Sequence, residues 1–232
     1  IGSGLVGSEM CIRDSLYYAE MGNSQLRPEH VTQYDVGFAY KSRTAGGLVT
    51  CWSVQADGYR NFVRDKIVAY PKGAQFRWTM LNLGRVRITG VDVAGSVTLN
   101  PLRDLYLTCK LQYTYQEAID VTDPADTYYR DQIPYIPWHS GSAIVQATWR
   151  SWSLNYSFIY TGERYNQQEN IVYNHTQPWY TSDVSIARSF SWGGYSARVQ
   201  LEVNNLLSQD YDVILNYPMP KRNYRLTLSF EM

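Results

Sequence analysis

Residues 105–116 read LYLTCKLQYTYQ, and every second residue in this stretch is apolar or aromatic. One face carries Leu105, Leu107, Cys109, Leu111, Tyr113 and Tyr115. The other face carries Tyr106, Thr108, Lys110, Gln112, Thr114 and Gln116, which are mostly polar. A period of two residues is typical of a β-strand with one dry face and one wet face. The stretch therefore predicts a long amphipathic strand.

The same alternation recurs on both sides of this stretch. It is strong in 34–41, 142–150, 152–160, 195–204 and 224–231, and weaker in 48–61, 82–100 and 179–190. These segments predict nine strands, and a tenth is expected in 16–20. Because a period of two is the main pattern from Glu29 onward, the predicted fold class is all-β.

The lengths of these strands separate two kinds of all-β protein. Strands of soluble proteins usually hold about 5–6 residues, whereas these segments hold roughly 10–14. At about 3.3 Å per residue and a tilt near 40°, twelve residues rise on the order of 30 Å, or about one hydrocarbon thickness. The lengths therefore favour strands that span a membrane over strands of a soluble sandwich.

The predicted connections alternate between short and long. Short links fall at 43–47, 101–104, 150–152 and 191–194, and long ones at 62–81, 119–137, 164–178 and 208–222. Short turns on one side and long loops on the other are typical of outer-membrane β-barrels, whose turns are periplasmic and whose loops are extracellular. The pattern predicts an antiparallel up-and-down barrel.

Aromatic residues cluster at both ends of the predicted strands. The short-turn ends carry Tyr40, Trp149, Trp152, Phe190, Trp192 and Phe230. The long-loop ends carry Tyr113, Tyr115, Tyr160, Trp179, Tyr180 and Tyr224. Tyr and Trp anchor at the boundary between lipid and water, so two such clusters predict two aromatic girdles about one membrane apart.

Composition and motifs argue against several other functions. The formal net charge is zero, which gives no basic surface for nucleic acid. The three cysteines and three histidines show no metal-ligand spacing, and G-x-S-x-G is absent. The sequence predicts no catalytic residue, no metal ligand and no cofactor-binding residue, and hence no enzyme.

Residues 1–15 (IGSGLVGSEMCIRDS) look foreign to the rest of the chain. They lack the positive start, apolar stretch and cleavage site of a signal peptide. They resemble translated adapter read-through from a metagenomic assembly, and a disordered natural terminus is the alternative. The expected domain is 16–232. Bacterial barrels have even strand numbers, so nine recognisable strands predict a fragment with strands missing upstream.

Three stretches resemble the TonB-dependent receptor family. Leu26-Arg27-Pro28-Glu29 with Tyr34-Asp35-Val36-Gly37 is similar to a loop-to-strand motif of that family. Asn82-Leu83-Gly84 with Gly90-Val91-Asp92 is similar to a second motif, in which Glu is usual at the last position. The third stretch runs from Val203 to Leu207 and from Tyr217 to Tyr224, and resembles the closing hairpin. Lys221 replaces the usual Gly there, and the chain ends Phe230-Glu231-Met232 rather than on an aromatic residue.

The resemblance implies a transmembrane barrel of about 22 strands plugged by an N-terminal domain, of which this chain holds a C-terminal fragment of about nine to ten strands. Members sit in the bacterial outer membrane, in contact with its lipid. They import a scarce small molecule such as a siderophore or other iron chelate, haem or cobalamin. The TonB complex energises them through an N-terminal region that is expected to lie outside this chain. A surface lipoprotein that caps the barrel is a further partner found in some relatives.

In such receptors the ligand is bound by extracellular loops and by the outer ends of the strands. Aromatic rings offer flat apolar area, and Arg can donate two parallel hydrogen bonds to a carboxylate, catecholate or phosphate. The predicted ligand-binding residues are Arg77, Trp78, Tyr128, Tyr129, Arg130, Arg164, Tyr165 and Tyr173.

Three other functions remain open at the level of sequence. A smaller complete outer-membrane barrel would act as a passive porin or a structural protein, and would have a signal peptide directly upstream of Leu16. A barrel enzyme would need a Ser/His or Asp/His pair at the rim. A soluble β-sheet binding module would need shorter strands.

Overall fold

Nine long strands form one antiparallel sheet in the computed structural model of the chain. The structure describes residues 23–44, 47–72 and 77–231, without the side chains of 68–72 and 77–79. The foreign-looking segment 1–15 and the expected strand 16–20 lie outside the described residues. The strands of the sheet are β1 (His30–Arg43), β2 (Val49–Lys72), β3 (Arg77–Leu102), β4 (Leu105–Asp120), β5 (His139–Trp149), β6 (Trp152–Thr161), β9 (Trp179–Trp192), β10 (Tyr195–Asn204) and β13 (Asn223–Glu231).

Short elements lie in the connections between these strands. They are β7 (Arg164–Tyr165), a 3₁₀ helix (Val172–Asn174), β8 (His175–Thr176), β11 (Asp212–Ile214) and β12 (Tyr217–Pro218). The order in the large sheet is β1-β2-β3-β4-β5-β6-β9-β10-β13, so each strand pairs with the next long strand along the chain. This is the predicted up-and-down topology, and all nine predicted strands are confirmed.

The cross-strand register sorts side chains onto two different faces. One row across the first four strands is Phe38, Ala56, Val93 and Tyr113, and the neighbouring row is Gly37, Asp57, Asp92 and Thr114. Phe38 is 60% exposed and Leu111 65% exposed, although both are apolar. One side of the sheet is thus apolar and exposed, and the opposite side is polar. These two sides match the lipid-facing and lumen-facing sides of a membrane barrel. We call these the outward and inward faces.

Aromatic residues meet on the outward face at both ends of the strands. Near the short turns, the rings of Tyr40 and Trp52 lie 5.1 Å apart. Near the long loops, Tyr160 is the direct partner of Tyr180. Trp179 was expected in the same girdle, but this expectation is wrong. It pairs with Thr161 in the inward row, because consecutive residues of a strand point to opposite faces.

The predicted first long loop, 62–81, is not a loop. β2 and β3 remain paired up to the Lys72–Arg77 pair, so only 73–76 separate the two strands. Arg77 and Trp78 are therefore strand residues. The prediction failed because this hairpin extends beyond the predicted membrane span, where both faces meet water and alternation is no longer required.

The remaining long connections fold back onto the sheet. Val63, Leu83, Val86, Ala118 and Ile133 form a small hydrophobic core, in which Ile133 belongs to the connection between β4 and β5. Burial of these side chains fixes that connection against β2, β3 and β4. Within the described residues, no helix is long and apolar enough to cross a membrane.

Candidate ligand-binding site

A pocket of about 450 Å³ lies where the long connections converge at one end of the sheet. We call it the loop pocket. Its lining residues are Lys66, Ile67, Ile133, Pro134, Tyr135, Ile136, Thr161, Arg164, Trp179, Val213 and Ile214. Six of these are aliphatic or proline residues, so most of the wall is apolar. A mostly apolar concavity with a few polar groups is the usual form of a small-molecule site.

Arg164 is the most deeply buried charged residue of the loop pocket, with 2% of its surface exposed. Its Nη2 atom donates to the carbonyl oxygens of Asp212 at 2.8 Å and Val213 at 3.0 Å. Its Nη1 atom is buried and has no hydrogen-bond partner among the described residues. Burial lowers the pKa of the Arg164 guanidinium below its ordinary value, and the nearby Tyr135 opposes part of this change.

No carboxylate of the described residues forms an ion pair with Arg164. A buried charge without a counter-ion is costly, because it has lost its water and gained no opposite charge. The guanidinium is therefore suited to an anionic group that enters the pocket.

Trp179 provides a second unused donor in the same pocket. Its indole Nε1 atom is buried and lacks a partner within the described part of the chain. The ring stacks on Tyr211 with centroids 4.5 Å apart and an angle of 25° between planes, which holds the indole in place. Indole nitrogen is a donor only, so it also requires an acceptor.

Tyr135 contributes a phenol to the pocket wall. Its backbone has a positive φ of 62°, and its N–H donates to the Tyr165 carbonyl oxygen at 2.8 Å. Burial raises the pKa of the phenol above its ordinary value. A backbone hydrogen bond with Leu215 and the Arg164 charge lower it in part. The phenol therefore stays protonated and neutral at physiological pH.

A reciprocal pair of hydrogen bonds joins two of the connections that form the pocket. The Gln132 backbone N–H donates to Asn170 Oδ1 at 2.7 Å, and Asn170 Nδ2 donates to the Gln132 carbonyl at 3.0 Å. The Gln132 side chain is 1% exposed and bonds to the backbone of Ala118, Gln116 and Ile136. These bonds hold the pocket wall against the end of β4.

Gly162 brings the chain from β6 into the pocket. Its N–H donates to the His139 carbonyl oxygen at 2.8 Å. A Cβ atom at this position would lie 2.6 Å from the same oxygen, which belongs to backbone and cannot easily move. Glycine therefore allows the close approach that places Arg164 two residues later.

Among the predicted ligand-binding residues whose side chains the structure describes, one lines the loop pocket. That residue is Arg164. Tyr165 lies behind the pocket, with its ring edge-on to Trp138 and to His175. Tyr173 is 93% exposed on the 3₁₀ helix. Arg77 and Trp78 are the first two residues of β3, and the structure does not describe their side chains.

Tyr128, Tyr129 and Arg130 lie together in a turn of the connection between β4 and β5. Arg130 adopts a positive φ of 72°, and its N–H donates to the Asp120 carbonyl at 2.8 Å. The Tyr129 N–H donates to the Asp126 carbonyl at 3.2 Å, so both residues serve the turn through their backbone. None of the three is among the residues that line the loop pocket.

Sequence reasoning missed Tyr135 and misplaced Trp179. Residues 133–138 read IPYIPW, an apolar run inside a polar connection. Such a run indicates a loop that folds inward, and this signal could have found Tyr135. The inward direction of Trp179 follows from its neighbour Tyr180, which occupies the outward face.

His139 and His175 have ordinary structural partners. Tyr113 Oη lies 2.7 Å from His139 Nδ1, and His175 Nε2 lies 3.2 Å from Glu163 Oε2. Within the described ranges, no three His, Cys, Asp or Glu residues form a group able to hold a metal ion.

The family comparison agrees with the fold, and its range includes the first two of the three motifs. A family model described as "TonB dependent receptor-like, beta-barrel" matches residues 7–206. This range covers most of the chain and eight of the nine strands of the sheet. The chain belongs to the TonB-dependent receptor β-barrel family.

Solved structures with the same fold include three transporters or receptors. The ferric citrate transporter FecA has a TM-score of 0.65 and 15% identity over 86% of this chain and 31% of its own. The ferric-catecholate import receptor Fiu from E. coli K12 has a TM-score of 0.61 and 17% identity, with 90% of this chain and 29% of Fiu covered. The copper transporter OprC has a TM-score of 0.60 and 17% identity, with 86% of this chain and 30% of OprC covered. This chain thus spans less than a third of the length of each.

Proposed function

We propose that this chain is part of the barrel of an outer-membrane receptor that imports a scarce small molecule, and that the loop pocket receives an anionic group of that ligand. The observation that carries the proposal is Arg164, which is 2% exposed and keeps a buried donor without a partner in the described structure. An anion would satisfy both its charge and its free N–H.

The wall of the pocket narrows the class of ligand. Two donors, Arg164 and Trp179, stand beside a wall made mainly of Ile, Val and Pro side chains. This combination suits a ligand that presents acidic or phenolate oxygens next to an apolar body. A siderophore or another anionic iron chelate meets this description best. Haem and cobalamin carry carboxylate or phosphate oxygens and remain the other candidates.

The family supports the remaining parts of the proposal. We infer that the TonB complex supplies the energy through an N-terminal region outside this chain, and that the outward face contacts outer-membrane lipid. The relatives are about three times as long as this chain. We therefore propose that 16–232 is the C-terminal part of a barrel of about 22 strands. On separate grounds, the resemblance of 1–15 to adapter read-through, we propose that this segment is not native.

Ligand binding tests the role of Arg164. The natural full-length receptor would be titrated with ferric citrate and with a ferric catecholate, following tryptophan fluorescence. Arg164→Gln should weaken binding of the accepted chelate roughly 10- to 100-fold, the usual loss for a buried charged hydrogen bond. Arg130→Gln is the matched control, because it removes an exposed Arg outside the pocket. Equal affinity of the wild type and Arg164→Gln would refute the site.

Arg164 also donates hydrogen bonds to β11, so its replacement could disturb the fold as well as ligand binding. Folding must therefore be checked separately. Arg164→Lys keeps the positive charge but cannot repeat the fork of bonds to Asp212 and Val213. Partial recovery of affinity in Arg164→Lys would show that the charge itself binds the ligand. Folding of the barrel would be checked by its heat-modifiable mobility on a gel. If the barrel is intact and Arg164→Lys recovers no affinity, Arg164 has a structural role only.

Uptake tests the transport class. Cells that express the full-length receptor should accumulate the radiolabelled chelate only when TonB is present. Uptake of equal rate without TonB would instead support the passive porin.

A further inference from the structure

Four arginines project from the outward face of β2 and β3 beyond the aromatic girdle. They are Arg60, Arg64, Arg85 and Arg87, and we call them the outer arginine patch. Arg60 is the direct partner of Tyr34 and of Thr89, and Arg64 is the direct partner of Arg85. Direct partners in an antiparallel pair lie on the same face of the sheet. The patch therefore continues the face that carries the exposed apolar residues.

A ring contact shows that the Arg60 side chain lies on the outward face. Tyr34 and Phe62 meet edge to face with centroids 6.5 Å apart, and the Arg60 guanidinium lies 5.3 Å from the centre of the Phe62 ring. Arg60, Arg64 and Arg85 are exposed, and Arg87 is half-buried. None of the four arginines lines the loop pocket.

The height of the patch follows from the register. From Leu105 to Tyr115 the outward face of β4 is apolar or aromatic over ten residues, which at a 40° tilt rise about 25 Å, the height of a lipid-facing band. Arg60 lies level with Glu117, and Arg87 lies level with Ile119. These rows are roughly 5 and 10 Å beyond Tyr115. Arg64 and Arg85 lie one row further, and their long side chains can extend back toward the lipid headgroups.

Among the described residues, the protein supplies a carboxylate partner to only one of the four arginines of the patch. Glu117 pairs with Arg87 at 3.6 Å, while the nearby acids Asp65 and Glu29 pair with Arg27 and Lys66. Across the described residues, Arg60, Arg64 and Arg85 form no ion pair, and Arg87 Nε has no hydrogen-bond partner. Arg64 and Arg85 face each other directly, an arrangement of like charges that is unfavourable unless an anion lies between them.

We propose that the outer arginine patch binds the phosphate groups of a phosphorylated glycolipid in the outer leaflet. Arginine is the side chain best matched to phosphate, because its planar fork donates two parallel hydrogen bonds. The charge, the height and the outward direction all match a lipid headgroup rather than a ligand inside the barrel. The inference uses the outer-membrane placement proposed above but is independent of the loop pocket.

The test compares glycolipid binding by four forms of the natural full-length receptor. These are the wild type, the double variant Arg64→Gln/Arg85→Gln, its conservative counterpart Arg64→Lys/Arg85→Lys, and the control Arg198→Gln, which removes an inward arginine of β10. Each would be titrated in detergent with bisphosphorylated lipid A and with its dephosphorylated form, and bound lipid would be counted by native mass spectrometry. We expect about a fivefold loss of affinity for each outer arginine removed, and only for the phosphorylated lipid.

Four outcomes decide the proposal. Loss confined to the double variant and to phosphorylated lipid, with recovery in Arg64→Lys/Arg85→Lys, supports it. Equal affinity in all four forms overturns it, and so does an equal loss for the dephosphorylated lipid. Co-purification of an acidic protein that dissociates from the double variant, without any change in lipid binding, would also overturn it. Chelate affinity should not change, so failure here is distinguishable from failure of the loop pocket.

Discussion

Asn82 in β3 and Arg27 before β1 are joined by a reciprocal pair of hydrogen bonds. Asn82 Oδ1 accepts from the Arg27 backbone N–H at 2.8 Å, and Asn82 Nδ2 donates to the Arg27 carbonyl at 2.9 Å. The same Nδ2 atom donates to the Asp65 carbonyl at 2.7 Å, and the Arg27 guanidinium pairs with the Asp65 carboxylate at 2.7 Å. Two of the family-like motifs are thus in direct contact, 55 residues apart in sequence.

This contact stabilises an irregular point of the β2–β3 hairpin. Asp65 has a positive φ of 55°, which a residue other than glycine adopts at a cost. Glu29 adds to the same junction by accepting from Lys66 Nζ at 3.0 Å. Because Lys66 and Ile67 line the loop pocket, the junction also determines the position of one pocket wall.

Replacing Asn82 should loosen this junction. Asn82→Ala removes three hydrogen bonds, which are partly exposed, so we expect a loss of about 1–2 kcal/mol in the free energy of unfolding. Urea titration of the full-length receptor in detergent would measure it. Asn155→Ala is the control, because Asn155 makes a single long bond of 3.4 Å to Ser185. An equal loss in both variants would contradict the assigned role of Asn82.

Asn205 should be essential to the closing hairpin. It is 4% exposed, its Nδ2 donates to the carbonyls of Gln209 and Pro220, and its Oδ1 accepts from the Gln209 N–H. We expect Asn205→Ala to cost roughly 2–3 kcal/mol, from the lost bonds and from its positive φ.

Asn216 offers a matched control for Asn205. It has a similar positive φ, 65° against 49°, but it is exposed. Asn216→Ala should therefore cost only the backbone penalty of about 1 kcal/mol. If the two variants unfold at the same urea concentration, the buried side-chain bonds of Asn205 contribute nothing.

Gly162→Ala should damage the loop pocket. The new Cβ would approach the His139 carbonyl oxygen to 2.6 Å, so β6 or the residues after it must shift. We expect a loss of about 1–3 kcal/mol in stability, as for other overpacked sites, together with weaker chelate binding because Arg164 moves. Gly58→Ala has no atom within 4 Å of its added Cβ and should stay within about 0.5 kcal/mol of the wild type. Chelate binding of wild-type strength by Gly162→Ala would disprove the positioning role.

Residues 16–232 produced alone should support no TonB-dependent uptake, because the proposed plug and the TonB-binding region lie outside them. The measurement is uptake of the radiolabelled chelate by cells carrying this segment or the full-length receptor. TonB-dependent uptake by the segment alone would refute the proposal that it is a fragment. Sequencing the DNA upstream of Leu16 provides an independent check, with further alternating strands in frame as the expected result.

The strands could be predicted because their environment imposes a local rule. Each residue of a spanning strand faces either lipid or lumen, so polarity alternates along 105–116 and along the other strands. The rule fails where the environment changes. Beyond the membrane β2 and β3 continue as strands, but both faces meet water and the alternation that marks a strand weakens. Trp179 was misplaced for a related reason, since an aromatic residue at a strand end can serve either face.

Strand positions, strand faces and the family follow from short stretches of sequence, because alternation and the three motifs each depend on neighbouring residues. The loop pocket does not. Arg164 was found from its residue type, but its burial depends on carbonyl groups of Asp212 and Val213, 48 and 49 residues away. Tyr135 and Trp179 join it only because connections between different strands fold to the same end of the sheet. Contacts between residues so far apart in sequence leave no periodic pattern in it, so only the tertiary fold decides which side chains meet.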